Sequence, residues 1–161
     1  MLNEFQTKRV WENMLAAEAR SLYFADLASR YTRHKQWITG ASFFLASGAA
    51  ASLVGKLPQS VPLVLSGVVA LTSAYSMAVG LDRKVGTMAK LHSAWSQIAV
   101  EYDRLWNHTD DPDAEAQLDR IIRQEKEPSE LASTEAPNDQ KLLGKWQDHV
   151  FSMYRPTEQH G

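Results

Sequence analysis

Polar and apolar residues alternate at helical spacing over most of this chain, and the alternation lapses in one region. Gln36 to Gly55 carries no charged residue, and neither does Leu57 to Leu81. The runs are 20 and 25 residues long, separated by Lys56, and the second opens with a Pro58-Gln59-Ser60-Val61-Pro62 tip. A helix crosses the hydrocarbon core with roughly 20 mostly apolar residues. In lipid the backbone must satisfy its own hydrogen bonds, so each run is expected to be helical. The pattern predicts an all-α membrane protein: a two-transmembrane helical hairpin, 36–81 with spans about 36–55 and 61–81, flanked by long amphipathic cytosolic helices that form a bundle. The competing reading is a buried hairpin inside a soluble bundle. Two consecutive charge-free runs of this length exceed what the core of a 161-residue chain requires, and the membrane reading is preferred.

On the N-terminal side, residues 1–39 hold neither Gly nor Pro. Val10, Trp11, Met14, Leu15, Leu22, Phe24, Leu27 and Tyr31 recur at helical spacing, which predicts one amphipathic helix, 1–35, running into the first span. After the second span, Met88, Leu91, Trp95, Ile98, Tyr102 and Leu105 follow spacings of 3, 4, 3, 4 and 3. That is a heptad seam, expected to pack against further copies or against the N-terminal helix. Gly80 and Gly86 are the expected bend points between span and seam. Asp111, with Pro112 behind it, reads as the cap of a helix that turns Leu118, Ile121 and Ile122 inward and ends near Glu127-Pro128. Residues 128–137 read as a loop. A last helix starts near Asn138 or Asp139, with Leu142, Leu143, Trp146, Val150 and Tyr154 as its apolar stripe. The cytosolic bundle is thus expected over 82–155 and a disordered tail over 156–161.

Charge orients the hairpin. Arg20, Arg30, Arg33 and Lys35 precede it, Arg83, Lys84 and Lys90 follow it, and Lys56 alone lies between the spans. Seven against one places both termini on the cytoplasmic side of the membrane. Trp37 suits an interfacial belt, whereas Tyr75 lies deep enough to pack within the bundle. A net charge of −2 gives no electrostatic case for nucleic-acid binding. No cysteine is present, so disulfides and thiolate chemistry are excluded. The five histidines, His34, His92, His108, His149 and His160, form no metal-ligand spacing. No glycine-rich phosphate loop and no nucleophile elbow occurs. No catalytic, cofactor-binding or metal residue is therefore named, and the chain is not read as an enzyme.

The spans hold the other candidates. Gly40, Gly48 and Ser52 share one face of the first, with Phe44 between them. Ser66, Ser73, Ser76 and Gly80 form a stripe on the second, with Gly67 and Thr72 nearby. Small residues let helix backbones approach, and hydroxyls bond across helices. They serve either packing of the hairpin or a hydroxyl-lined path between several hairpins. Two helices cannot enclose a path, so a pore demands a homo-oligomer. No charge lies in either run, which disfavours a coupled transporter.

The layout resembles the SLATT proteins, small two-transmembrane effectors of bacterial conflict systems that accompany SMODS nucleotidyltransferases or SLOG sensors. The resemblance is carried by Tyr31-Thr-Arg-His-Lys-Gln-Trp37, the small-residue hairpin, the helix Leu91 to Trp106 and the closing segment Ala136 to Val150. It implies an anti-phage effector that forms a pore or disrupts the inner membrane, arresting or killing the infected cell. Its activating input would be a nucleotide ligand or a sensor or nucleotidyltransferase partner. The alternatives are a membrane-anchored scaffold without a pore and a holin-like lysis protein.

Overall fold

A computed structural model describes residues 1–46 and 60–155; within those ranges the side chains of residues 45, 46, 60–63, 65, 66 and 76 lie outside the description. Every regular element described is a helix: α1 (Glu4–Ala46), α2 (Ser60–Val79), α3 (Leu81–Trp106), α4 (Ala114–Gln124), α5 (Lys126–Glu135) and α6 (Gln140–Tyr154). The chain divides into two compact units, Met1–Leu27 with Thr87–Gly161, and Ala28–Gly86.

Local chemistry sets the helix limits. Asn3 and Gln6 open α1 with a reciprocal cap: Gln6 N–H donates to Asn3 Oδ1 at 2.8 Å, and Asn3 N–H donates to Gln6 Oε1 at 2.9 Å. With neither Gly nor Pro before residue 40, nothing interrupts the helix, and it runs for 43 residues. Gly80 ends α2 with φ +61°, a left-handed conformation that costs a residue with a Cβ. Lys84 N–H then returns to Gly80 C=O at 3.0 Å, so α3 starts at once. Of the two expected bend points, Gly80 is the break. Gly86 lies inside α3 and bends nothing in the assigned helix.

Two expectations need correction. Asp111 does not cap the next helix. Asp111 N–H bonds His108 C=O at 3.1 Å and Ala114 N–H bonds Asp111 C=O at 3.2 Å, so successive tight turns carry the chain to Asp113 before α4 begins. Residues 128–135 are not a loop but most of α5. Pro128 is the third residue of that helix, where its missing N–H would have had no helical partner anyway. Ser133 and Thr134 hydroxyls donate back to Glu130 C=O at 2.8 and 3.2 Å, which seats these loop-favouring residues within a helix. The connection to α6 is confined to 136–139. Asp139 caps α6, its Oδ1 accepting from Leu142 N–H at 3.0 Å. The tail expected over 156–161 lies outside the described residues.

Candidate functional site

In the 28–86 unit, α2 is a 20-residue helix without a charged residue. Its side chains largely face outward. Val64, Val68, Leu71, Tyr75 and Met77 are exposed, Met77 to 83%. From α1, Trp37, Phe43 and Phe44 are exposed as well. Tyr75, expected to pack inward, is instead 53% exposed. Among the described residues, which include no side chain from 45–63, no helix is long and apolar enough to cross a membrane.

The small residues divide. Gly40 and Gly67 have open space where a Cβ would stand, so packing within the chain does not require glycine at either position. Ser73 is exposed. The hydroxyl contact between α1 and α2 runs instead through Ser42 and Thr72, whose oxygens are 3.3 Å apart. Thr72 also donates to Val68 and Val69 carbonyls. Gly48 and Ser52, and the side chains of Ser66 and Ser76, lie outside the described residues. Lys35 pairs with the carboxylate of Asp82, and the Lys84 ammonium stands 5.9 Å from the Tyr31 ring centroid. These contacts tie α1 to the first turn of α3, next to the start of one charge-free run and the end of the other. Both members of the ion pair are solvent-exposed, so it is worth at most about 1 kcal/mol.

The bundle unit is built around the heptad seam. Met88, Leu91, Trp95, Ile98, Tyr102 and Leu105 are all buried, none more than 5% exposed. The chain fills this seam by itself. Val10, Met14, Ala17, Ser21 and Phe24 of α1 are buried at the matching period. Contacts run antiparallel: Trp11 stacks near Trp106, Asn13 Nδ2 donates to Tyr102 Oη at 3.1 Å, the Arg20 guanidinium lies 4.5 Å from the Trp95 ring centroid, and Ser21 Oγ is 3.0 Å from His92 Nδ1. The six seam residues are therefore internal core, covered from within the chain.

Two polar groups in that core have restricted chemistry. His92 Nδ1 is also 3.0 Å from Ser21 C=O, so the Ser21–His92 pair locks α1 to α3 through backbone and hydroxyl together. Ser21 is 6% exposed. The Tyr102 hydroxyl is held well above its ordinary pKa, first by burial and then by the nearby Glu125 carboxylate. Among the described residues no cluster of His, Asp and Glu is placed to hold a metal ion.

One concave site stands out in the bundle unit. A cleft of about 390 Å³ lies between α1, α3 and the α5–α6 segment. Arg20, Phe24 and Trp95 form one wall, Ala132, Pro137 and Leu143 part of the other. Tyr23 Oη donates to Pro137 C=O at 2.6 Å and accepts from Asp139 N–H at 3.4 Å, which fixes the connection against α1. Sequence reasoning used Arg20 only as a topological charge and read most of the far wall as loop. No local pattern marks the site, because its walls join residues 20–24 and Trp95 to residues 129–143, far apart in sequence.

No family model matches the chain, and neither a curated protein nor a solved structure does.

Proposed function

We propose that this chain is a membrane effector whose hairpin enters the bacterial inner membrane and assembles with further copies, opening a pore or disrupting the bilayer so that the cell is arrested or killed. The observation that carries the reading is the outward apolar surface of the hairpin. A 20-residue charge-free helix that exposes Val64, Val68, Leu71, Tyr75 and Met77 needs a cover, and lipid or another hairpin supplies one. Spanning on this reading draws on residues 47–59 in addition to those described. The charged contacts of Lys35, Asp82 and Lys84 fit the cytoplasmic boundary.

Assembly on this reading runs through the hairpin, since the seam is occupied from within. Gly40 and Gly67 offer backbone to a neighbouring helix, because among the described residues nothing lies within 4 Å of where their Cβ would stand. The resemblance to SLATT proteins supports an anti-phage role, with activation by a nucleotide ligand or a sensor or nucleotidyltransferase partner. The test is expression in bacteria carrying a potential-sensitive dye, together with fractionation. The expected result is extraction by detergent but not by alkaline carbonate, and loss of membrane potential on activation. A protein released by carbonate sinks the membrane reading. A membrane-bound protein that never depolarises cells sinks the pore and leaves the hairpin as an anchor.

A further inference from the structure

The cleft beside Trp95 combines three features. Its volume, about 390 Å³, suits a small organic molecule. Arg20 lines it, with the guanidinium over the Trp95 ring and no carboxylate partner among the described residues. The other charged lining residue, Asp139, already spends Oδ1 on the cap of α6. Finally, the indole N–H of Trp95 is buried without a hydrogen-bond partner among the described residues, although the residue is only 1% exposed. An orphaned buried donor is costly, and on a residue that lines the cleft its resonance reports on what enters the space beside it.

A guanidinium has five donors in a planar fork that matches a carboxylate or a phosphate. Stacking on Trp95 uses its face and leaves its edge for an anion. Ser129 and Asn138 at the mouth add polar groups, while Phe24, Pro137 and Leu143 give apolar walls. We propose that this cleft binds a small organic anion, with its carboxylate or phosphate on Arg20 and its apolar or planar body against Phe24, Pro137 and Leu143. Such a ligand would add a further tie between α1 and the α5–α6 segment, beside the Tyr23 contacts with Pro137 and Asp139. The assignment does not depend on the membrane reading, because binding is measurable whether or not the protein permeabilises a bilayer.

The experiment uses the full chain in detergent micelles, labelled with nitrogen-15, and follows the indole N–H resonance of Trp95, assigned by its loss in Trp95→Phe. Phenyl phosphate, benzoate and the neutral benzyl alcohol are titrated separately. The expected result is a saturable shift with at least one of the two anions and none with benzyl alcohol. A response to phenyl phosphate alone assigns a phosphorylated ligand, and a response to benzoate alone a carboxylate. Arg20→Met should weaken binding at least tenfold, the loss of a charge-assisted hydrogen bond. Ala132→Leu keeps Arg20 but narrows the cleft and should weaken binding similarly. Melting temperatures report that each variant is folded. Absence of any shift with either anion at roughly 10 mM, equal binding of benzyl alcohol, or unchanged affinity in either folded variant overturns the assignment.

Discussion

At the scale of single residues, Tyr102 and Gly80 show how little of a side chain's role lies in its identity. Tyr102 is a seam position by spacing, yet the fold also buries its hydroxyl beside Glu125, with Asn13 donating to it and Arg9 more distant. An unfolded chain gives up a tyrosine proton near pH 10. The folded chain keeps that of Tyr102 to higher pH. Between those values the unfolded state binds fewer protons, so stability falls as pH rises through the window. Tyr154, also raised by burial and by Glu18, adds a smaller contribution of the same sign. Melting followed by circular dichroism should therefore decline more steeply above pH 10 in wild type than in Tyr102→Phe; parallel slopes would contradict the buried hydroxyl. Gly80 is the one described residue with positive φ. Gly80→Ala should cost about 1–2 kcal/mol, and Gly80→Asn less, because asparagine tolerates the left-handed region. Equal melting of Gly80→Ala and wild type in detergent would show that the junction relaxes to another conformation.

At the scale of elements, the helices divide by how they satisfy their apolar faces. The α3 helix meets its seam with α1 of the same chain, and Leu91 is 1% exposed there. Leu91→Asp would place a carboxylate in that core, a change of several kcal/mol unless the site opens to water. The bundle should lose its cooperative melting transition. If instead the variant melts as wild type while crosslinked oligomers vanish, the seam serves contacts between copies. The α5 helix makes a different point. Its segment, Lys-Glu-Pro-Ser-Glu-Leu-Ala-Ser-Thr-Glu, reads as loop from Pro128 onward because proline and hydroxyl residues favour turns. The structure absorbs each of them: Pro128 in the first turn, where it is buried, and Ser133 and Thr134 by bonding to carbonyls one turn back. A local propensity lost to tertiary packing. The α6 start was legible, since an aspartate ahead of Gln140 is a strong cap and Asp139 acts as one.

For the whole molecule, the contrast between its two units is the functional lead. One buries a seam of aromatic and aliphatic side chains at its centre; in the other most of the described large apolar side chains are exposed. If the displayed surface is where copies meet, Gly40→Leu should block assembly by filling the space that a neighbouring helix would use. Ser73→Leu should leave assembly intact and abolish permeabilisation, because it removes a hydroxyl from the lumen while suiting a membrane helix. Crosslinking in membranes and dye entry measure the two effects separately. Gly40→Leu that assembles normally would remove Gly40 from the contact, and Ser73→Leu that permeabilises normally would remove Ser73 from the path.

The amino-acid order alone determined the helical character of the chain, its two charge-free runs, a break at one of two glycines and the six seam positions that turned out to be buried. Each of these follows from periodicity or from a single backbone preference, which are properties of neighbours along the chain. What covers the seam was decided only in three dimensions, because α1 and the heptad pattern are each compatible with a partner from the same chain or from another. The α5 helix needed the fold for the same reason. The Arg20–Trp95 cleft was wholly tertiary: its walls lie far apart in sequence, and an arginine read as a membrane-orienting charge acquires a binding role only when an aromatic ring beneath it and an empty space beside it are brought together.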